Sequence, residues 1–206
     1  MTRAIADISM SLDGFVTGPD PDLEHGLGRG GDPLHDWAIT SDDDVDKRVL
    51  QEATDRSGAV VMGRRLFDII DGPHGWNDEV GYGARMVGTP PFFVVTHAPP
   101  THVRLDLQFT FVTEGVAAAL EQARAAAGEQ DAVVMGGADV VRACLDQALI
   151  DELHIHLAPI VLGAGTPLFT GIHRRALVQR SVQVSPFATH LVYDLVRRGP
   201  GDPAAS

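Results

Sequence analysis

The chain has 206 residues, and 28 Asp and Glu against 16 Lys and Arg give it a formal charge of −12 at pH 7. An acidic chain without a block of basic residues argues against nucleic acid or a membrane surface as its main partner. Cys144 is the single cysteine, which excludes an internal disulfide and a cysteine-rich zinc site. Because no segment approaches the ~18 apolar residues of a membrane span, and the N-terminus lacks a signal-peptide core, we expect a cytoplasmic protein.

The charge is distributed unevenly along the chain. Residues 1–55 hold 13 acidic and four basic side chains, whereas the remaining residues hold 15 and 12. We therefore expect any anion site to lie in the second part. The acidic first segment would disfavour a strongly anionic substrate next to it.

The first half of the chain predicts a strand, a long polar loop, a helix, a buried strand and a short helix, in that order. Loops as long as the one predicted here are usually functional or disordered in compact domains. Ser41 with Asp44 three residues later predicts a helix start similar to a capping box. Gly58 would end this helix. The other predicted elements of this half are residues 3–10, 11–40, 59–62 and 64–70.

The second half predicts a clearer alternation of strands and helices, followed by strands alone. This pattern indicates a mainly parallel sheet covered on both faces, with an antiparallel edge formed by the last strands. We expect one domain over residues 1–198 and a disordered tail over 199–206. The predicted strands are residues 92–96, 109–113, 132–135, 152–160, 177–184 and 190–196, and the predicted helices are 116–127 and 140–148.

Three of the predicted strands end in groups that suit a phosphate. Gly136 and Gly137 follow one strand and open a helix, where glycine lets the backbone approach a ligand and free N–H groups attract an anion. A second strand ends in Gly63-Arg64-Arg65 and a third in Thr96-His97. Open α/β sheets bind ligands at the carboxyl ends of their strands, so the three ends together predict a nucleotide site. The pattern is not the G-x-G-x-x-G fingerprint, so an ordinary Rossmann site is unsupported.

Five motifs occur in a fixed order along the chain: S-L-D-G-F-V, V-M-G-R-R-L-F, F-V-V-T-H, V-M-G-G-A and D-E-L-H-I-H-L-A-P-I-V-L-G-A-G-T-P-L-F. In this order the set resembles the dihydrofolate-reductase-like superfamily, and within it the RibD C-terminal family of riboflavin-biosynthesis reductases. The likeness covers residues 3–197. It implies a three-layer α/β fold with a mixed, mostly parallel central sheet, helices on both faces and an antiparallel C-terminal edge. It also implies an NADPH-dependent reductase, in most members a homodimer.

The resemblance implies cofactor contacts at fourteen positions. The residues beside the nicotinamide would be Ser9, Met10 and Val16. Those at the phosphates and adenosine would be Gly63, Arg64, Arg65, Thr96, His97, Gly136, Gly137, Ala138, Asp139, Val140 and Val141. Family members often place Ser or Arg where this chain has Thr96-His97. A histidine is only partly charged at pH 7, so the preference for NADPH over NADH stays open.

The proton donor and the substrate pocket are less well defined by the sequence. In pterin-reducing relatives a carboxylate on the helix after a Trp donates the proton, and here Trp37 is followed by Asp42 and Asp46. Counting from Trp37 selects Asp42, and counting back from Gly63 falls nearer Asp46. Both could instead be solvated aspartates at a helix start. The other expected substrate residues are Asp13, Trp37, Leu168 and Phe169.

No metal site is expected from the sequence. His154 and His156 alternate on one strand face, but two imidazoles without a third ligand indicate packing or interface residues. The zinc deaminase that accompanies the bifunctional riboflavin enzyme needs a paired C-x-x-C, which a single cysteine cannot supply. We therefore expect a stand-alone reductase for a small heterocyclic or carbonyl compound, with reduction of 5-amino-6-(5-phosphoribosylamino)uracil the nearest named activity. The alternatives are a dihydrofolate or pterin reductase and a non-catalytic NADPH-binding protein.

Overall fold

The computed structural model describes residues 2–77, 79–82 and 89–196. Within them the strands are β1 (Ala4–Ser11), β2 (Phe15–Thr17), β3 (Ser57–Gly63), β4 (Phe92–Val95), β5 (Phe109–Val112), β6 (Asp131–Gly136), β7 (Glu152–Ala158), β8 (Thr166–Pro167), β9 (Leu177–Val184) and β10 (Thr189–Leu195). The α-helices are α1 (Asp36–Ile39), α2 (Asp44–Arg56), α3 (Arg64–Ile70), α4 (Val116–Ala126) and α5 (Ala138–Asp146), and Asp32–His35 forms a 3-10 helix.

Eight of these strands form one sheet in the order β5-β4-β3-β6-β1-β7-β10-β9. The strands from β5 to β7 are parallel, whereas β10 runs antiparallel to β7 and β9 antiparallel to β10. The predicted mixed, mostly parallel sheet with an antiparallel C-terminal edge is therefore confirmed. The described part of the chain contains no helix that is both long and apolar enough to cross a membrane.

The alternation of β1 assigns each of its side chains to one face of the sheet. Ala4, Ala6, Ile8 and Met10 are buried in the larger core cluster, together with side chains of α4 and α5. The alternate positions are Ile5, Asp7, Ser9 and Ser11, three of which are polar. The face beneath α2 therefore receives polar groups, and the candidate site forms there.

The long polar segment at residues 11–40 is built from short elements. It contains β2, the 3-10 helix and α1, and β2 pairs with β8 in a second, two-stranded sheet. Gly165 lies next to this pair with a φ of 140°, and a Cβ there would come within 1.9 Å of the Thr17 carbonyl oxygen. Only glycine therefore lets the segment around residue 165 approach β2 this closely.

The predicted start of the second helix is wrong by two residues. Asp43, and not Ser41, is the N-cap of α2, and its carboxylate accepts from the Val45 N–H at 2.8 Å. The Ser41 hydroxyl instead donates to Asp46 Oδ2 at 2.5 Å. The predicted tail at residues 199–206 lies outside the described residues.

Candidate functional site

At the carboxyl edge of the sheet, glycines leave the backbone uncovered by side chains. Gly136 has a φ of 130°, a conformation that side chains rarely tolerate. A Cβ on Gly137 would meet nothing within 4 Å, so the space beside the start of α5 is open. A Cβ on Gly63 would come within 3.0 Å of Val140 Cγ2. These glycines give β3, β6 and α5 a close junction with room for a ligand next to the backbone.

The first turn of α5 offers backbone groups and not side chains. Gly137 is its N-cap and provides no side-chain cap. The side chains of Ala138, Val140 and Val141 are buried in the core, and Asp139 forms an ion pair with Arg142. A ligand at this end would therefore meet N–H groups at the positive end of the helix.

The two arginines after β3 have different surroundings. Arg64 donates to Asp68 Oδ1 at 2.7 Å and to the Ala98 carbonyl at 2.6 Å, and Thr96 Oγ1 donates to the same carbonyl at 2.8 Å. Arg65 is exposed and forms no ion pair with any residue that the structure describes. His97 is exposed as well. Arg64 and Thr96 thus join α3 to the end of β4, whereas Arg65 and His97 face solvent.

The three residues expected beside a nicotinamide are buried around the end of β1. Ser9 Oγ accepts a hydrogen bond from Trp37 Nε1 at 2.9 Å, on the face beneath α2. Met10 and Val16 belong to the core on the opposite face. The end of β1 therefore connects the carboxyl edge to the polar face.

A cavity of about 310 Å³ lies beneath α2 on that polar face. It extends from the beginnings of β1 and β7 to the level of His156, whose register partner on β1 is Ser9. Three carboxylates and three guanidinium groups line it, so the acidic excess of residues 1–55 is not concentrated there. These charged residues are Asp7, Glu52, Glu152, Arg3, Arg56 and Arg180.

Four buried or partly buried ionisable side chains form a continuous series at the inner end of this cavity. Asp7 Oδ1 lies 2.9 Å from His156 Nε2, His156 Nδ1 lies 2.7 Å from His190 Nδ1, and His190 Nε2 lies 2.7 Å from Asp46 Oδ1. The members come from β1, β7, β10 and α2, and we refer to them as the Asp–His–His–Asp chain. The Trp37 ring lies over His156 with a centroid separation of 4.0 Å.

The surroundings of this chain shift the pKa values of its members. Burial opposes ionisation of Asp7, but the charge and hydrogen bond of His156 outweigh it and lower the pKa of Asp7. Burial is likewise overcome at Asp46, where hydrogen bonds from Ser41, Ser185 and His190 lower the pKa. For His190 burial prevails over Asp46, and its pKa is lowered. Both carboxylates are thus ionised and His190 favours its neutral form.

The structure separates the two candidate proton donors. Asp46 is fully buried and lies in the Asp–His–His–Asp chain. Asp42 is fully exposed at the start of the same helix and forms an ion pair with Lys47 at 3.2 Å. Of the two, only Asp46 contacts a residue that lines the cavity, His190.

The other expected substrate residues are placed in several environments. Trp37 contacts both Ser9 and His156. Asp13 accepts from the Ser11 hydroxyl at 2.6 Å and from the backbone N–H groups of Leu162 and Gly163, so it connects two loops. Leu168 is fully buried in the core, whereas Phe169 is 48% exposed. Of these residues, Trp37 is the one that lies next to the Asp–His–His–Asp chain.

The sequence did not indicate three members of the Asp–His–His–Asp chain as functional residues: Asp7, His156 and His190. The available signal was an ionisable side chain within each of three strands, β1, β7 and β10, that are largely buried or half-buried. A charge in such a strand requires a partner, because an unpaired buried charge is very costly. The partners lie far apart in sequence, at separations of 34 to 149 residues.

Cys144 has no feature of a reactive thiol. It is fully buried on α5, and burial raises its pKa to about 12. Among the residues that the structure describes, no group of three or more His, Cys, Asp and Glu side chains is arranged to hold a metal ion.

Comparison with known proteins gives a match over nearly the whole chain. The family model described as the RibD C-terminal domain matches residues 3–193. A pyrimidine reductase-like protein from Corynebacterium diphtheriae is 17% identical with a TM-score of 0.63, covering 96% of this chain and 93% of that one.

Two further solved structures carry more specific names. One is a diaminohydroxyphosphoribosylaminopyrimidine deaminase/5-amino-6-(5-phosphoribosylamino)uracil reductase from Thermotoga maritima, 14% identical with a TM-score of 0.61. The match covers 95% of this chain and 57% of that chain. The other is dihydrofolate reductase from Enterococcus faecalis complexed with NADP(H), 15% identical with a TM-score of 0.50 over 94% and 96% of the two chains. At these identities the structures show a shared fold.

His35 makes the stability of this region sensitive to pH. Burial, with a smaller contribution from the neighbouring His156, lowers its pKa to about 4. The unfolded chain takes up a proton at His35 near pH 6.5 while the folded chain does not, so stability is full above that pH and falls as the pH drops toward 4. We expect about 2 kcal/mol of the loss between pH 7 and 5 to come from His35. Urea denaturation at both pH values should therefore show a shallower decline for His35→Gln, and equal declines would contradict this assignment.

Proposed function

Because the chain belongs to the RibD C-terminal domain family, we propose that it is an NADPH-dependent reductase that transfers a hydride to a small heterocyclic or carbonyl substrate. Reduction of 5-amino-6-(5-phosphoribosylamino)uracil is the nearest named activity, since it appears in the name of the T. maritima structural relative. The observation that carries the proposal is the placement of two features. An open glycine junction lies at the carboxyl edge of the sheet, and a cavity lined by Asp7, His156 and His190 lies beneath α2.

The residues at the carboxyl edge fit a dinucleotide. Open space beside Gly137 and the uncapped start of α5 suit a pyrophosphate. The exposed Arg65 suits a further phosphate on the adenosine side. Ser9 and Met10 lie at the end of β1, between this edge and the cavity. When bound, NADPH would supply the hydride.

The side chains at the inner end of the cavity would position the substrate and exclude water. Trp37 provides an apolar surface next to Ser9, and the three guanidinium groups at the opposite end can hold an acidic substituent. Of the two aspartates indicated by the sequence, the proposal retains Asp46, because Asp42 is exposed to solvent. Asp46 contacts His190 and would act through it.

Turnover with defined substrates tests the proposed reductase activity. The purified protein should oxidise NADPH in the presence of 5-amino-6-(5-phosphoribosylamino)uracil. The loss of NADPH absorbance measures this oxidation. Dihydrofolate is the second substrate to test, because the fold is shared with a dihydrofolate reductase. Binding of NADPH without oxidation by any pyrimidine or pterin would instead support a non-catalytic NADPH-binding protein.

Arg65 provides a test of the cofactor preference. Removal of a charge-assisted hydrogen bond to the 2′-phosphate should weaken NADPH binding about tenfold and leave NADH binding nearly unchanged. Arg65→Ala is therefore expected to raise the NADPH Kd selectively, measured by quenching of tryptophan fluorescence. Arg174→Ala removes an exposed guanidinium elsewhere and serves as the control. Equal losses for both cofactors would contradict the phosphate assignment.

We also propose that the protein is a homodimer formed through β9. This edge strand exposes Val178, Val182 and Val184 at 53%, 45% and 65%. An exposed apolar edge strand requires cover, and a second copy of the chain can provide it. Light scattering after size exclusion should give twice the chain mass of 22.0 kDa, and Val182→Lys with Val184→Lys should give the monomer. A wild-type monomer at micromolar concentration would contradict the proposal.

A further inference from the structure

The Asp–His–His–Asp chain requires one proton more than its members carry in their ordinary states at neutral pH. It contains three close contacts, and each contact needs one hydrogen between its two heavy atoms. Two ionised carboxylates and two neutral imidazoles together carry two. If both Nε2 atoms donate to their carboxylates, the two Nδ1 lone pairs would face each other at 2.7 Å. A third proton between the rings removes this repulsion.

The surroundings place this third proton on His156. The ring lies against the ionised Asp7 and beneath the face of Trp37, and both stabilise a cation. His190 favours its neutral form because burial lowers its pKa. Neutral His190 then donates from Nε2 to Asp46 and accepts at Nδ1 from His156.

We propose that His156 is held as an imidazolium and that its proton is the one consumed by the reduction, passed to the substrate through Asp7. The inference rests on the proposed function and adds a proton source to it. Asp7 is the outlet because its side chain is 21% exposed, whereas those of His156, His190 and Asp46 are exposed by 3% or less. Asp7 also lines the cavity in which the substrate would lie.

His190 and Asp46 act as positioning residues. Asp46 accepts from His190 Nε2, which fixes the tautomer that leaves a lone pair on Nδ1 for His156. The Ser41 hydroxyl holds the other oxygen of Asp46. Without the carboxylate, His190 could turn to its other tautomer and donate to His156, which would then no longer need its second proton.

The proton transfer balances with the reduction. Bound NADPH would supply a hydride to one atom of the substrate double bond, and the other atom would need a proton. His156 loses its Nε2 proton to the Asp7 carboxylate, and the resulting carboxylic acid donates it to the substrate. His156 is left neutral, retaining its Nδ1 proton, and Asp7 returns to the carboxylate. A proton from solvent restores the imidazolium through the cavity after product release.

The other ionisable groups around His156 leave its charge in place. His154 lies on the same strand and forms its closer contact with Glu152 at 2.9 Å, while its Nδ1 is 3.8 Å from Asp7. His35 approaches from the 3-10 helix and stays neutral, with its pKa lowered to about 4 by burial and by His156. Arg3, Arg56 and Arg180 surround Glu152 at the far end of the cavity. The carboxylates of Asp7 and Asp46 are thus the charges nearest to the two rings.

Nitrogen NMR of the histidine rings tests the stored proton without cofactor or substrate. In the full chain at pH 7.5, both ring nitrogens of His156 should be protonated and His190 should carry its proton on Nε2. A His156 ring with one proton would overturn the proposal. His156→Gln assigns the signals by their loss.

Asp46→Asn tests the positioning role by its effect on that titration. The variant should lower the affinity of His156 for its second proton at least tenfold, a shift of one pH unit or more in the ring signals. Asp44→Asn makes the same change of charge on the same helix at an exposed position and should leave the titration unchanged. If Asp46→Asn does not fold, Ser41→Ala should shift the titration in the same direction by less. Equal shifts in both aspartate variants would overturn the positioning role.

The pH profile of turnover separates this proposal from the proposed function. With 5-amino-6-(5-phosphoribosylamino)uracil as substrate, kcat of Asp46→Asn should fall about tenfold per pH unit above its lowered titration point, while the wild-type value stays level. The NADPH Kd should be the same in both proteins. A wild type that does not bind NADPH would contradict the reductase and leave the NMR result standing. If wild type and Asp46→Asn both turn over with identical pH profiles, the proposed proton source is wrong, and the proposed reductase activity is unaffected.

Discussion

Four ionisable side chains meet beneath α2, three of them from strands of the sheet and one from α2 itself. Burial of an unpaired carboxylate or imidazolium costs several kcal/mol, so Asp7, His156, His190 and Asp46 must keep their mutual contacts for the fold to form. Those contacts join β1, β7, β10 and α2. The position of α2 over the sheet, and with it the cavity, therefore depends on the pairing of these charges.

β1 connects the two parts of the candidate site. Its even-numbered residues from Ala4 to Met10 pack into the core with α4 and α5, whereas Asp7 and Ser9 face α2. Ser9 lies one pleat beyond Asp7 toward the carboxyl edge, about 7 Å along the strand. A ligand at the glycine edge and a ligand in the cavity would consequently meet at the level of Ser9, next to Trp37 and His156.

Local patterns predicted the fold better than they predicted the site. The apolar strands and the Gly136-Gly137 turn depend on neighbouring residues, and the sheet and its antiparallel edge follow from them. The helix after this turn was predicted as well, although α5 begins at Ala138, two residues before the predicted start at residue 140. The Asp–His–His–Asp chain depends on pairings across more than 30 residues, which no local pattern defines. The choice between Asp42 and Asp46 shows the same limit, because both have suitable spacing and only burial separates them.

The proposed function requires the carboxyl edge to hold a nicotinamide cofactor whose reactive ring reaches the Asp–His–His–Asp chain. A crystal structure with bound NADPH tests it most directly. With NADPH bound, the pyrophosphate should lie at the start of α5 and the nicotinamide beside Ser9, with its open face toward the cavity lined by Asp7 and His156. A nicotinamide that lies away from Ser9, or whose open face meets no titratable side chain of the Asp–His–His–Asp chain or of the cavity, would contradict the proposed function.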